Sequence, residues 1–274
     1  MPKNELLPHP AVITSIHKES PDIKTFTLNF VNESQQKHFT YTPGQFMEIS
    51  IMGAGEAPIS ITSSPTQQGI LELCIRQVGT LTTLLHQLQP GSKVGIRGPY
   101  GNGFPLEELK GYNLLFIAGG IGLAPLRSLI NYVLYHRQDY GTIHILYGAK
   151  APGELIFYRE LICWNGRQST NVLTTVDQGS YTWKGNVGLV TSLLDTLRDI
   201  DRNFKAIVCG PPVMIPFVVN ELLKLGLPDE HIISTLENHM KCGIGKCGHC
   251  LTCGKYICTD GPVFSYKEMK SMGY

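Results

Sequence analysis

Near residue 111 the hydrophobic rhythm of the chain changes, and no single architecture accommodates both rhythms. Before that point, short apolar or alternating runs are separated by turn chemistry. PAVITSIHKE, KTFTLNFV, FMEISI, PISITSS, GILELCIRQV and KVGIRGP are rich in β-branched residues, and SPD, TPGQ, GAGEA and QPGS lie between them. Six short strands at this spacing predict a small antiparallel β-barrel. One helical stretch, TLTTLLHQL (Thr80–Leu88), interrupts them. Beyond the change, apolar strands alternate with amphipathic helices: NLLFIAGG, LAPLRSLINYVLYHR, TIHILYGAK, ELIFYRELICW, TNVLTTVD, GLVTSLLDTLR, FKAIVCGPP, PFVVNELLKLG and a last strand HIISTLE. That alternation predicts a doubly wound α/β domain with a parallel sheet. A length of 274 residues suits two domains with sizeable cores. The expected division is residues 1–110 for the barrel, 111–230 for the α/β domain and 231–274 for a C-terminal segment.

The formal net charge is +1, from 23 basic and 22 acidic residues, which argues against nucleic acid or an anionic membrane as the main partner. MPKNELLPHP lacks the apolar core of a signal peptide, and LLFIAGGIGLAPL (Leu114–Leu126) is too short and too broken to span a bilayer. The expectation is a soluble cytoplasmic protein with no direct membrane insertion.

Two glycine-containing turns end strands of the α/β domain. In AGGIGLAP (Ala118–Pro125), Gly119, Gly120 and Gly122 let backbone approach a ligand, and the following helix aims free N–H groups at the same place. Pro125 stands where the third glycine of G-x-G-x-x-G would be, so this is not the standard dinucleotide fingerprint. CGPP, with Cys209, Gly210 and Pro211, ends a later strand. Open parallel sheets bind ligands at these carboxyl ends, and two such turns point to a nucleotide.

Five of the chain's eight cysteines fall between Cys242 and Cys258. Cys242-x4-Cys247-x2-Cys250 is the spacing of plant-type [2Fe–2S] clusters. The intervening GIGK is small enough for backbone N–H groups to turn toward sulfur, which tunes a cluster's potential. By spacing alone the fourth ligand is Cys253 or Cys258. Zinc competes, because Cys247, Cys250 and Cys253 form two overlapping C-x2-C units and His249 lies among them. A disulfide staple suits neither the crowding nor a reducing compartment.

Barrel, GGIGLAP, CGPP and the terminal LENHMKCGIGKCGHC…CTDGPVF together resemble the ferredoxin–NADP reductase superfamily. The branch they resemble holds the electron-transfer subunit of dihydroorotate dehydrogenase, the sulfhydrogenase gamma subunit and the corresponding subunit of anaerobic sulfite reductase. The resemblance covers nearly the whole chain. The seven residues between Cys250 and Cys258 are more similar to the latter two. It implies FAD on the barrel, NAD(P)H on the α/β domain, the two meeting for hydride transfer, and a C-terminal [2Fe–2S] cluster held by Cys242, Cys247, Cys250 and Cys258, with Cys253 left as a spare thiol.

The family's flavin motif, Arg-x-Tyr-Ser, falls on Ala57, Pro58, Ile59 and Ser60. The resemblance implies that Ser60 sets a hydroxyl near the reacting flavin nitrogen. Ala57 replaces the arginine that offsets the diphosphate and Ile59 the aromatic that stacks on the ring. Arg76, next to Ile75 in ELCIRQVG, is the expected substitute cation, aided by the helix start at Gly79, Leu81 and Thr82. Cys209 is expected beside the nicotinamide, where the need is orientation of donor and acceptor carbons. Glu237 aligns with an acidic residue near the flavin and orients the nicotinamide, relays a proton or caps the strand. Lys150, at the end of LYGAK, leans toward the 2′-phosphate of NADP, with Arg159 nearby.

The resulting reading is an NAD(P)H-dependent flavin/iron–sulfur oxidoreductase subunit that exchanges electrons with another subunit of a larger anaerobic complex of sulfhydrogenase, sulfite reductase or heterodisulfide reductase type. Flavin is needed because nicotinamide gives two electrons and the cluster takes one. The rivals are a stand-alone reductase for ferredoxin or an oxygenase, and a zinc-ribbon interaction protein on a degenerate reductase scaffold.

Overall fold

The first six runs become six strands: β1 (His9–Lys18), β2 (Ile23–Phe30), β3 (Phe46–Ile51), β4 (Gly55–Ser60), β5 (Leu71–Arg76) and β6 (Lys93–Tyr100). In the computed structural model, which describes residues 5–197 and 200–273, they pair antiparallel in the order β4-β3-β6-β1-β2-β5. The end strands touch through the single bridge Ile61–Leu73, which closes the barrel. Alternate residues point inward, as the two-residue strand period requires. Ala11, Ile13, Phe26, Leu28, Met47, Ile49, Leu73 and Ile96 are buried in one core.

Strand β3 departs from half-burial, since Phe46, Met47, Glu48 and Ile49 are all buried. Met47 and Ile49 face the core, so Phe46 and Glu48 lie on the outer face and need a cover. The cover is the C-terminal segment. The chain divides into two compact units, and the first joins the described residues up to Phe104 with Arg127–Leu129 and Leu236–Val263. Asn102 clips this segment down: its Nδ2 donates to Val263 O at 2.7 Å and its Oδ1 accepts from Val263 N at 3.0 Å.

Two helices belong to the barrel region, α1 (Glu33–His38) and α2 (Thr80–Gln87). The first is not visible as a pattern in the sequence. It is six residues long and buries none of them, and it is set by its cap, Asn32 Oδ1 accepting from Gln35 N at 3.0 Å. GAGEA, expected as a turn, is one only at Gly53 and Ala54, where Ala54 N donates to Ile51 O at 2.9 Å; from Gly55 it supplies the start of β4.

The second unit holds Pro105–Leu126, Ile130–Thr235 and the residues from Phe264 onward. After a short helix α3 (Leu106–Leu109) come β7 (Asn113–Gly119), α4 (Leu123–Tyr135), β8 (Ile143–Ala149), α5 (Tyr158–Asn165), β9 (Thr170–Val176), β10 (Asn186–Val187), β11 (Phe204–Cys209), α6 (Met214–Lys224) and β12 (Ile232–Thr235). In the C-terminal region are β13 (Leu251–Thr252), β14 (Lys255–Tyr256), α7 (Ile257–Asp260), β15 (Val263–Ser265) and α8 (Tyr266–Ser271). The seven-stranded sheet runs β10-β9-β8-β7-β11-β12-β15. β7 pairs parallel with β8 on one side and β11 on the other, so the winding reverses between β7 and β11. A crevice at such a reversal is where doubly wound sheets take ligands. From Leu114 to Gly119 β7 is wholly buried, as a strand covered on both faces must be.

Two predicted helices come out differently. GLVTSLLDTLR forms a 3₁₀ turn over Val190–Thr196, with Val190, Leu193 and Leu194 buried; its expected last residue, Arg198, lies outside the described residues. ELIFYRELICW becomes α-helical only from Tyr158, because Leu155, Ile156 and Phe157 are buried first, Leu155 in extended backbone and Phe157 in left-handed backbone at φ 53°. Among the described residues no helix is long and apolar enough to cross a membrane.

Candidate functional site

The barrel's closure creates its first candidate surface. After the Ile61–Leu73 bridge, β4 and β5 share no further named pairing. Continuing that register would set Ile59 against Ile75, so Ala57–Ser60 on one side and Ile75 and Arg76 on the other flank a parting in the barrel wall. Ala57, Pro58, Ile59 and Ser60 are all half-buried, neither core nor free surface. Ile75 is buried and Arg76 half-buried.

The start of α2 lies in the chain just beyond. Thr82 Oγ1 accepts from Val78 N at 2.9 Å and Gly79 N at 3.0 Å, and donates to Gly79 O at 3.1 Å. These bonds pin the loop entering the helix. The first-turn N–H groups of Thr80, Leu81 and Thr82 have no partner within the helix, as at any helix start, and carry its positive dipole end. Gly79 opens on clear space. Arg76 is held by Asp22, Nε to Oδ2 at 3.4 Å, a partner with no motif to reveal it in the sequence.

In the second unit the two glycine turns, read separately from the sequence, meet. A side chain on Gly122 would stand 2.4 Å from Cys209 O and 2.7 Å from Gly210 Cα. Gly122 is therefore required by the neighbouring strand end, a nearer reason than a phosphate. Gly119 and Gly122 are buried; Gly120 and Pro125 are half-buried at the entry to α4, and Pro211 is exposed at the crest of its turn. Cys209 is 3% exposed, its Sγ 2.9 Å from Thr235 Oγ1 at the end of the adjacent parallel strand β12. Thr235 is a site neighbour that sequence reasoning did not single out. Lys150 is exposed immediately after β8, at the same carboxyl edge of the sheet. Glu237 is exposed, two residues beyond β12.

The cysteine segment separates its five thiols sharply. Cys242, Cys250 and Cys258 are buried, whereas Cys247 and Cys253 are exposed. Among the described residues no three His, Cys, Asp or Glu side chains are grouped as a site for one ion. Backbone donors converge on sulfur: Lys246 N at 3.3 Å and Cys247 N at 3.4 Å from Cys242 Sγ, and Gly245 N at 3.2 Å from Cys258 Sγ. Burial pushes the Cys242 thiol up, but N–H donation from Ile244, Cys247 and Lys246 outweighs it and brings the group down to about 6. Burial, reinforced by the neighbouring Cys250, pushes Cys258 up to about 12. Cys253 lies at φ 48° followed by Gly254 at φ 81°, between β13 and β14. Positive φ at both central residues is the signature of a tight hairpin turn. Cys253 therefore sits at an exposed hairpin tip. The donor set suits a group bound by thiolates with N–H groups around the sulfurs.

Behind this loop is a polar cluster that strand patterns did not disclose. Arg97 on β6 forms a salt bridge with Glu56 at 2.5 Å and donates to Lys241 O at 2.7 Å and to the Cys242 carbonyl. Glu48 is paired in register with Arg97 across β3 and β6. It is fully buried with neither carboxylate oxygen hydrogen-bonded, and burial pushes its carboxyl up to about 8.

Comparison with known proteins agrees with this geometry. The family model described as oxidoreductase FAD-binding domain matches residues 10–104, and the one described as oxidoreductase NAD-binding domain matches residues 116–220. The iron–sulfur cluster binding domain of dihydroorotate dehydrogenase B matches residues 237–270. Sulfhydrogenase 1 subunit gamma of Pyrococcus furiosus is 39% identical, covering 99% of this chain and 97% of its own length. Sulfhydrogenase 2 subunit gamma of the same organism is 42% identical over 90% of this chain and 91% of its own. The Pyrococcus furiosus protein named "Probable dihydroorotate dehydrogenase B (NAD(+)), electron transfer subunit" is 32% identical over 90% of this chain and 86% of its own. Among solved structures, a chain from the NADH-dependent reduced ferredoxin–NADP oxidoreductase superposes with a TM-score of 0.76 at 26% identity, over 98% of this chain and 91% of that one. The cytochrome b5 reductase domain of Ulva prolifera nitrate reductase shares the fold at a TM-score of 0.69 and 20% identity, over 84% of this chain and 98% of its own.

Proposed function

Because the chain belongs to the family that includes the sulfhydrogenase gamma subunits and the dihydroorotate dehydrogenase B electron-transfer subunits, we propose that its iron–sulfur cluster is of the [2Fe–2S] type and is the one-electron terminal facing a partner subunit. The chain is an NAD(P)H-dependent flavin and iron–sulfur oxidoreductase subunit of a multisubunit complex. When bound, FAD exchanges an electron pair with NAD(P)H and single electrons with the cluster, a conversion neither neighbour performs alone.

The observation that carries the proposal is the grouping of Leu236–Val263 with the barrel in one compact unit. The cysteine segment follows the α/β domain in sequence but packs on the outer face of the flavin-type barrel. N–H donation from one loop to both Cys242 Sγ and Cys258 Sγ supports these two as ligands of one cluster, and the plant-type spacing of Cys242, Cys247 and Cys250 supports the two-iron assignment. Burial of Cys258 and the hairpin position of Cys253 support Cys258 as the fourth ligand. Exposed Cys247 marks the edge where a partner gains access.

On the barrel, Ser60 is assigned to the reacting edge of the flavin. Ala57, Pro58 and Ile59 line one wall, and Ile75, Arg76, Gly79, Leu81 and Thr82 the other. Arg76 and the α2 start supply the positive charge that the missing motif arginine would give. On the sheet, Gly119, Gly120, Gly122 and Pro125 together with Cys209, Gly210 and Pro211 form the nicotinamide cradle. The buried Cys209, in contact with Thr235, supports that side of the crevice as the place where the nicotinamide is oriented. Lys150 favours the 2′-phosphate of NADP, and Glu237 orients the nicotinamide or relays a proton. Eight free cysteines suit the reducing cytoplasm.

The partner complex is of the sulfhydrogenase, sulfite reductase or heterodisulfide reductase type. Anaerobic purification from the native host, followed by identification of co-eluting redox subunits, tests this. Recovery of the chain alone, fully active with soluble ferredoxin, would favour the stand-alone reductase instead.

A further inference from the structure

Arg97 is 3% exposed, yet it belongs neither to the barrel core nor to the surface. Every arm of its guanidinium is engaged. Nε donates to Glu56 Oε1 at 2.7 Å and Nη2 to Glu56 Oε2 at 2.5 Å. Nη2 also donates to Lys241 O at 2.7 Å, and Nη1 donates to the Cys242 carbonyl and to Tyr100 Oη at 3.3 Å. These partners have two addresses. Glu56 is on β4, one residue before Ala57. Lys241 and Cys242 begin the loop that carries the first cysteines of the segment.

Burying a guanidinium is costly unless its donors are met, and packing with apolar residues often stabilises as well or better. A planar fork can do what packing cannot: hold a carboxylate on one strand and two carbonyls of another segment in one fixed geometry. The loop is shaped to accept it. Gly243, at φ +74°, lies so close over Tyr100 that a side chain there would stand 2.6 Å from the ring. Arg97 also lies 5.4 Å from that ring's centre. On its other side Glu48, in register with it, makes no hydrogen bond. The carboxylate that Arg97 grips is therefore Glu56, and the positive end of that pair is the end against Cys242.

We propose that Arg97 is a positioning residue that ties the cluster-binding loop to the strand carrying Ala57–Ser60 and sets a fixed positive charge beside that loop. This rests on the reading of Cys242, Cys247, Cys250 and Cys258 as cluster ligands. An electron arriving at the cluster adds one negative charge there and removes one from the flavin. The fixed cation favours the reduced cluster, and the rigid tie keeps donor and acceptor groups of one unit at constant separation.

The test uses the full chain, wild type against Arg97→Gln, Arg97→Lys and Glu56→Gln. In the cluster-free chain, amide hydrogen exchange across residues 241–247 is expected to speed up in all three variants, because neither an amide nor a single ammonium replaces the fork and an amide at 56 no longer holds it as a carboxylate does. In the reconstituted chain, Arg97→Gln is expected to disfavour cluster reduction about tenfold, ~59 mV for a one-electron couple, and Arg97→Lys to restore most of it. Glu56→Gln keeps the cation but frees it from β4; cluster reduction after mixing with NAD(P)H should slow relative to flavin reduction in the same sample. Wild-type exchange, potential and relative rate in Arg97→Gln would overturn the proposal. If Arg97→Gln does not fold, Glu56→Gln decides through exchange alone, its carboxylate being 25% exposed. If the wild-type chain takes up no cluster, the reading of the thiols fails, while exchange in the cluster-free chain still judges the tie.

Discussion

Glu48 shows what a single residue costs and why. Its carboxyl is buried without a hydrogen bond and pushed from 4.5 to about 8. A group raised in the fold contributes stability that is complete below its unfolded value and is lost as pH rises through its folded value. Stability should therefore decline between about pH 4.5 and pH 8 by on the order of 5 kcal/mol, one pKa unit being worth about 1.4 kcal/mol. Glu48→Gln should remove most of that slope, so thermal melts at pH 5.5 and 8.5 should differ less in the variant than in wild type. An unchanged slope would place the titrating group elsewhere. Arg76→Glu should release FAD, read as the ratio of flavin to protein absorbance; a variant that stays fully yellow refutes its role beside the diphosphate. Cys209, the glycine turns and the Cys242–Cys258 spacing were legible because each is local chemistry in a short window. Arg97, Glu56, Glu48, Asp22 and Thr235 were not. Each is a lone polar residue in a strand or turn, and only tertiary pairing gives it a partner.

At the scale of elements, two junctions govern the sites. The start of α2 depends on Thr82, whose hydroxyl accepts the N–H groups of Val78 and Gly79. Thr82→Val should cost ~1 kcal/mol, as losing a cap does, and weaken FAD more than it weakens the fold. Equal loss of both would make the helix start purely structural. The other junction is the contact of the β7 and β11 turns. Gly122→Ala drives a methyl into Cys209 O, and both are backbone-fixed. It should lower Tm by several degrees and abolish NAD(P)H binding measured by calorimetry. Strand and helix periods made most of these elements readable in advance, including the barrel and the doubly wound sheet. The exceptions have physical causes: α1 buries nothing, Val190–Thr196 is wound too tightly for an α-helix, and β15 joins the sheet from beyond the cysteine segment. No local rhythm encodes a segment that folds back on a barrel more than a hundred residues earlier in the chain.

At the scale of the molecule, cofactor choice and electron flow are the claims at stake. Lys150, exposed at the carboxyl edge of the sheet, should give Lys150→Ala a several-fold loss in kcat/KM for NADPH with little change for NADH. Equal effects on both would make it an ordinary surface lysine. The central claim is that one chain converts an electron pair into single electrons delivered at the C-terminal cysteines. The most direct measurement is an anaerobic NAD(P)H titration followed by visible and paramagnetic resonance spectra together. The account predicts about two irons and about one FAD per chain, bleaching of the flavin, and a reduced [2Fe–2S] signal that survives Cys253→Ser and is lost in Cys258→Ser. A colourless chain holding only zinc, or flavin that bleaches while no cluster signal forms, would contradict it.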